Sequence, residues 1–202
     1  QGEFYRHTLM TPMFNPGVNE FGVPPITMGA LGPKMTEVAG EVADGLIVHP
    51  FNNERFVREN TLPALELGIE KSGRDRSDIS LNLHAIVITG ESEEEINGAR
   101  ESVKKLLGFY GSTPAYLAPM DSIGYGELHP ELNRLSKKGK WDELGEAIDE
   151  GFLKAFCIEG EPGDLAKKLI DRYGGYANRI GLYAPYNVSD NIWRQLLNDL
   201  KG

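Results

Sequence analysis

A parallel α/β fold is predicted by three features of this chain: short apolar runs that end in Gly or Pro, an amphipathic stretch after each of them, and a length that holds several such units in series. The 202 residues suit one domain, or one large piece of a domain, with a sizeable core. Hydrophobic residues make up 40% and charged residues 25%, the balance of a folded chain and not of a disordered one.

The units follow in order. Pro25 to Leu31 is an apolar run closed by Gly32-Pro33, and Pro33 suits the first turn of a helix. Met35, Val38, Ala39 and Val42 then recur at i, i+3, i+4 and i+7, an amphipathic helical stripe. Asp44-Gly45 is a turn, and Leu46-Ile47-Val48 reads as a buried strand ending at His49-Pro50. Asn52-Asn53 can cap a helix carrying Phe56, Val57, Leu62, Leu65 and Ile69, in which Pro63 predicts a kink or two consecutive helices. Leu81 to Thr89 is the clearest strand. Ser92 to Glu95 forms a capping box ahead of a helix with Ile96, Ala99, Val103, Leu106 and Leu107. Residues 111–140, rich in Gly, Pro and Ser, read as an excursion with short helices. Trp141, Leu144 and Ile148 fit a helix, and Ala155 to Ile158 a short strand. Leu165, Leu169 and Ile170 mark a helix that stops at Gly174-Gly175, before a last strand, Arg179 to Tyr183. Ser189 caps a terminal helix with Ile192, Trp193, Leu196, Leu197 and Leu200.

Four strands, each leading into a helix, describe a parallel sheet with covered faces. Two architectures fit: a doubly wound sheet, complete at this length, and half of a (β/α)8 barrel, which takes about 250 residues and eight strands. Periodicity does not choose between them.

The net charge of −9 argues against nucleic acid and against an anionic membrane surface as partners. No apolar stretch reaches the ~18 residues that span a bilayer, and no secretory leader is seen, so a cytoplasmic location is expected. The single cysteine, Cys157, sits in an apolar run and reads as a buried small hydrophobe. The opening Gln1-Gly2-Glu3-Phe4-Tyr5-Arg6 reads as the interior of a longer protein. GxGxxG, GxxxxGK[ST] and HExxH are all missing, and the acidic run Glu91 to Glu95 reads as a helix start, so no metal site is expected.

The stretch Pro24-Pro25-Ile26-Thr27-Met28-Gly29-Ala30-Leu31-Gly32-Pro33-Lys34-Met35, followed by Ala39-Gly40-Glu41-Val42-Ala43-Asp44-Gly45-Leu46-Ile47-Val48-His49-Pro50-Phe51, resembles the fifth and sixth βα units of luciferase-like monooxygenases. Phe109 to Tyr116, Leu135 to Trp141, and Arg172 to Gly175 ahead of the last strand are similar to one subgroup, the coenzyme F420-dependent oxidoreductases related to methylene-tetrahydromethanopterin reductase. The resemblance implies the C-terminal half of a TIM (β/α)8 barrel, strands five to eight with an excursion before the last unit. Residues 24–202 would form that half, and residues 1–23 the end of an inserted segment. The family's acid/base residues lie on the first four strands, so no catalytic residue is assigned here.

The implied activity is hydride transfer between reduced F420 and an organic small molecule. The alternatives are an FMN-dependent monooxygenase and, from another class, a non-catalytic half-barrel or binding protein. The implied partner is the N-terminal half or a second copy, covering an inner sheet face for which Ile26, Met28, Leu46, Val48, Leu83, Ile180 and Leu182 are candidates.

The site residues follow from strand ends. Gly29, Ala30, Leu31 and Gly32 turn from a strand into a helix, where free backbone N–H groups hold phosphate or ribityl oxygens and small residues let a ligand approach. By themselves they also fit an ordinary βα turn; the resemblance implies that they contact the cofactor, with Lys34 a further charge nearby. His49 ends the next strand, where the family places cofactor phosphate or ribityl contacts, and is a candidate for cofactor or substrate contact, although the family's familiar small polar or lysine contacts are replaced here by His49-Pro50-Phe51-Asn52. Asn52 is a cofactor contact or a helix cap. His84, in mid-strand, reads as a core residue, Arg179 as a surface charge, and Tyr183 and Tyr186 as packing or the substrate mouth.

Overall fold

A computed structural model describes residues 1–201. Five parallel strands form one sheet: β1 (Thr27–Ala30), β2 (Gly45–Val48), β3 (Ser80–Ile88), β4 (Cys157–Glu159) and β5 (Arg179–Tyr183). Leu83 pairs with both Val48 and Ile180, so β2 and β5 flank β3 on opposite edges. Ile86 pairs with both Tyr183 and Cys157, so β4 continues along the β2 edge beyond the end of β2. The sheet therefore runs β1-β2-β3-β5 in chain order. Among the described residues it lacks the order reversal of a doubly wound sheet.

The helices are α1 (Pro33–Val42), α2 (Glu54–Phe56), α3 (Leu62–Ser72), α4 (Glu93–Gly111), α5 (Leu117–Asp121), α6 (His129–Lys137), α7 (Trp141–Glu146), α8 (Glu150–Phe156), α9 (Pro162–Tyr173) and α10 (Asp190–Lys201). Side chains alternate between faces along a strand. Leu46, Val48, Leu81, Leu83, Ala85 and Val87 point to one face and are buried with Ala39, Leu65, Ile69, Leu165, Leu169 and Leu196 from α1, α3, α9 and α10. The other face carries Thr27, Gly29, Ile47, Asn82, His84 and Gly181, none of them buried. Farther along β3 that second face is covered: Ile86 and Ile88 join Val103, Leu107, Met120, Leu132, Phe152 and Phe156 of the excursion and its flanking helices.

This pleat reverses the expectation for the open face. Leu46, Val48 and Leu83 lie under helices, and Met28, Ile180 and Leu182 pack against the same cluster. Ile26 precedes β1 and is exposed. The fully buried apolar side chains of these strands belong to the helix layer, and the bare face carries polar and small residues together with Ile47.

Pro63 acts as expected of an interrupting proline, in a specific way. Residues Val57–Thr61 form a π-turn between α2 and α3, closed by Leu62 N–H donating to Val57 O. Pro63 then falls in the first turn of α3, directly after this π-turn. Ser92 accepts from Glu95 N, but the Glu95 carboxylate takes Glu91 N and not the cap amide, so the capping box is shifted by one residue. The expected strand at Ala155–Ile158 starts at Cys157, because Asp149 accepts from Phe152 N and opens α8 with Phe152, Leu153 and Phe156 turned into the core. Residues 1–23 carry turns and bends without helix or strand, and nearly all of them are exposed.

Helices α1 and α3 cross at two glycines. A Cβ on Gly68 would stand 1.9 Å from Glu37 O, and one on Gly40 2.4 Å from Leu65 O. Gly68→Ala should therefore lower stability by about 1–3 kcal/mol in urea unfolding, because backbone must move to admit one methyl group. Gly98→Ala, on the exposed side of α4 with nothing near its Cβ, should raise stability by about 0.4–1 kcal/mol. Equal effects of the two substitutions would contradict the close crossing.

Candidate functional site

The carboxy ends of parallel strands point their loops to one rim, and a cleft of about 300 Å3 lies there. Gly29, Ala30 and Leu31 enter it from the end of β1, Ile47, His49 and Pro50 from the end of β2, and His84 from the bare face of β3. Tyr116 closes it from the 3₁₀ turn Pro114–Tyr116 of the excursion.

The β1–α1 turn is built for close approach. Gly32 caps α1 without a side chain, and Pro33 follows it. Thr36 N–H and its hydroxyl both donate to Gly32 O, so the amides of Lys34 and Met35 stay in the first turn without an intrahelical acceptor. A Cβ on Gly29 or Gly32 would meet nothing within 4 Å, and neither residue has a positive φ. Packing and backbone strain therefore do not require these glycines; the empty space beside them is room for something else. Lys34 leans away in an exposed ion pair with Glu37, at 3.1 Å.

His49 is held on both ring nitrogens. Nδ1 accepts from Phe51 N–H at 3.1 Å, and Nε2 lies 3.2 Å from the Tyr116 hydroxyl. The imidazole stacks on the Tyr116 ring, with centroids 4.8 Å apart, and meets Tyr110 edge-on at 5.0 Å. Burial pushes His49 below its ordinary pKa, and the charge of His84 adds to the shift. Burial first, and the neighbouring Tyr183 hydroxyl second, push Tyr110 up to about 12. Asn52 does not cap a helix, and it lies beneath the cleft rather than along it. Its amide, 1% exposed, donates to His49 O at 2.6 Å and His84 O at 3.3 Å, which ties the end of β2 to β3. The cap is Asn53, which accepts from Phe56 N. Asn52 Oδ1 is buried without a partner.

The structure thus brings Gly29, Ala30, Leu31 and His49 together, sets Gly32 just outside as the helix cap, and uses Asn52 as a brace. His84 is not a core residue: even positions of β3 face the bare side until Ile86. Tyr116 was not singled out by sequence, since an excursion without periodicity gives no orientation for its side chains. Tyr186 is a packing residue, its hydroxyl donating to Val87 O and accepting from Thr89 N. Arg179 sits at the amino end of β5, away from the cleft.

A larger hollow, about 620 Å3, flanks the outer edge of β4. Lys168 and Arg172 donate to the carbonyls of Glu159 and Cys157 there, and Arg100 pairs with Glu159. Satisfied carbonyls and closed ion pairs mark a protected sheet edge, not a reaction site. Cys157 is buried, which pushes its thiol up and keeps it un-ionised. Among the described residues, no cluster of three or more His, Cys, Asp or Glu is positioned to hold a metal, and no helix is long and apolar enough to cross a membrane.

Fold and cleft define a parallel α/β protein with an open cleft at the carboxy ends of its strands. The family described as luciferase-like monooxygenase matches residues 1–179, and the chain belongs to it. It is 43% identical over 180 residues to the uncharacterized protein Rv1360 of Mycobacterium tuberculosis, covering 89% of this chain and 53% of that protein. It is 24% identical over 174 residues to the 5,10-methylenetetrahydromethanopterin reductase of Archaeoglobus fulgidus, covering 83% of this chain and 49% of that enzyme. The fold is similar to the coenzyme F420-dependent tetrahydromethanopterin reductase of Methanopyrus kandleri, with a TM-score of 0.67 and 22% identity over 87% of this chain and 49% of that one. The chain spans about half the length of the curated relatives it matches.

Because burial favours neutral His49 in the folded state, its stabilising contribution is complete above about pH 6.5 and is lost as pH falls through the lower folded value. The wild type should thus lose more stability than His49→Gln between roughly pH 7 and pH 5 in thermal melts. Parallel curves for the two proteins would refute a neutral, buried imidazole.

Proposed function

We propose that the protein is a deazaflavin-dependent oxidoreductase that binds F420 at the strand-end cleft and exchanges hydride with an organic small molecule. The observation that carries this reading is the open space at Gly29 and Gly32 beside the first-turn amides of α1, a cradle that side chains at those positions would fill. Gly29, Ala30, Leu31 and Gly32 would meet a phosphate or ribityl group with backbone N–H, and His49 would contact the same ligand. Apolar Leu31, Ile47 and Pro50 suit a flat ring system. When bound, the deazaflavin supplies the hydride chemistry; the chain's own part is to bind, orient and shield it. The similarity to a 5,10-methylenetetrahydromethanopterin reductase, and to the fold of a coenzyme F420-dependent tetrahydromethanopterin reductase, supports this cofactor over FMN. FMN and oxygen chemistry is the second reading, favoured by the family's description as monooxygenases. A cytoplasmic setting goes with either.

We further read β1, β2, β3 and β5 as strands five to eight of a (β/α)8 barrel, with β4 a short addition beside β3 and residues 1–23 as the end of an inserted segment. Two facts support this: the chain-order sheet and, among the described residues, the unpaired outer edges of β1 and β5. Unpaired edges invite association, so the partner is the remaining half of the barrel or a second copy.

Titration of the full-length protein with F420, followed by its fluorescence, should reveal binding, and parallel titration with FMN should be weaker. Gly29→Ala should leave the melting temperature nearly unchanged, since a Cβ there meets nothing within 4 Å, yet lower F420 affinity by about tenfold or more. Failure of both flavins to bind overturns the proposal. The 202-residue stretch alone should give no turnover and should self-associate in light scattering; hydride transfer by it, or a monodisperse, cooperatively melting monomer, would contradict the half-barrel reading.

A further inference from the structure

The hydrogen bonds around His49 determine which way its bond to Tyr116 runs. A backbone amide can only donate, so the Phe51 N–H facing Nδ1 at 3.1 Å requires a lone pair there. A neutral imidazole then carries its proton on Nε2. That proton lies toward the Tyr116 oxygen, 3.2 Å away, and the tyrosine is the acceptor in this pair. The phenolic proton of Tyr116 is left over. Among the described residues His49 is the sole hydrogen-bond partner of that hydroxyl, and Tyr116 lines the cleft. The ring is held by stacking on His49 and by edge contact with Tyr110, at 5.6 Å between centroids. A half-buried hydroxyl with a fixed acceptor side and an unspent proton is a donor waiting for an acceptor.

We propose that Tyr116 is the hydrogen-bond donor with which this cleft recognises an acceptor oxygen of the bound deazaflavin, and that His49 is the positioning residue that fixes the sense of that bond. The inference rests on the functional reading above and deepens it: the site selects for a carbonyl, hydroxyl or phosphate oxygen that accepts at this point, and against an N–H donor group there. Asn52, by holding the carbonyls of His49 and His84, keeps the backbone under the pair in register. The excursion thus contributes a recognition group to a site otherwise made by strand ends.

Two measurements on the full-length protein test it. The first is a two-bond 15N–1H correlation spectrum of the histidine rings at neutral pH without ligand. His49 should have Nε2 protonated and Nδ1 bare, in the wild type and in Tyr116→Phe alike, since the Phe51 bond is untouched. The second is the affinity of both proteins for F420 and for its fragment lacking the phosphate and tail. Tyr116→Phe keeps the ring stack and should weaken F420 binding about three- to tenfold, the effect of losing one neutral hydrogen bond. A loss with both ligands assigns the contact to a ring or ribityl oxygen; a loss with F420 alone assigns it to the phosphate. An Nδ1-protonated or doubly protonated His49, or equal affinities in the two proteins, overturns the inference while the cofactor reading stands. A wild type that binds no deazaflavin overturns both together.

Discussion

The rest of this structure depends on the pairing of β3, the longest strand, with neighbours on both edges. Its register with β2 and β5 sets which side chains face the helices and which face the open side. A slip of one residue would turn Leu81, Leu83 and Ala85 outward and Asn82 and His84 into the helix layer. Burial of the apolar set under α1, α3, α9 and α10 is thus also what delivers His84 to the cleft. Stability and site geometry come from the same alternation.

The helix layer is held close to the sheet by small residues. Gly40 and Gly68 let α1 and α3 touch backbone to backbone, which fixes the angle at which α1 leaves β1. Gly32 and the first-turn amides that follow it lie just outside the cleft. Gly181 does a related job on the bare face: a Cβ there would stand 2.6 Å from the His84 ring, so its absence leaves His84 its orientation. Glycines in this fold separate into two kinds. Those at helix crossings and beside His84 are demanded by the chain itself, whereas Gly29 and Gly32 are demanded by nothing within it.

The excursion between β3 and β5 has two structural roles. With α8 it extends the core over Ile86 and Ile88, where Phe51 stacks on Phe156 at 4.3 Å and Phe156 on Phe152 at 4.6 Å. It also brings Tyr116 onto His49, whose ring Tyr110 meets edge-on from the last turn of α4. The neutral imidazole that results is stabilised by a backbone amide on one side and a phenol oxygen on the other.

The sequence by itself determined the strand and helix order, because apolar runs and helical stripes are local patterns that each segment satisfies alone. It also located the β1–α1 turn and His49 as strand-end residues, since in a parallel sheet chain position alone assigns the end of the sheet. The face of each side chain was decided only by tertiary structure. Leu46, Val48 and Leu83 were expected on the open face, yet both sides of a short apolar strand look alike until a helix layer covers one of them. His84 was read as core for the same reason. Asn52 and Asn53 are equivalent as caps in sequence, and only the two carbonyls converging from β2 and β3 made the first a brace and the second the cap. Tyr116, 67 residues from His49 along the chain, entered the site through a contact that no local pattern encodes.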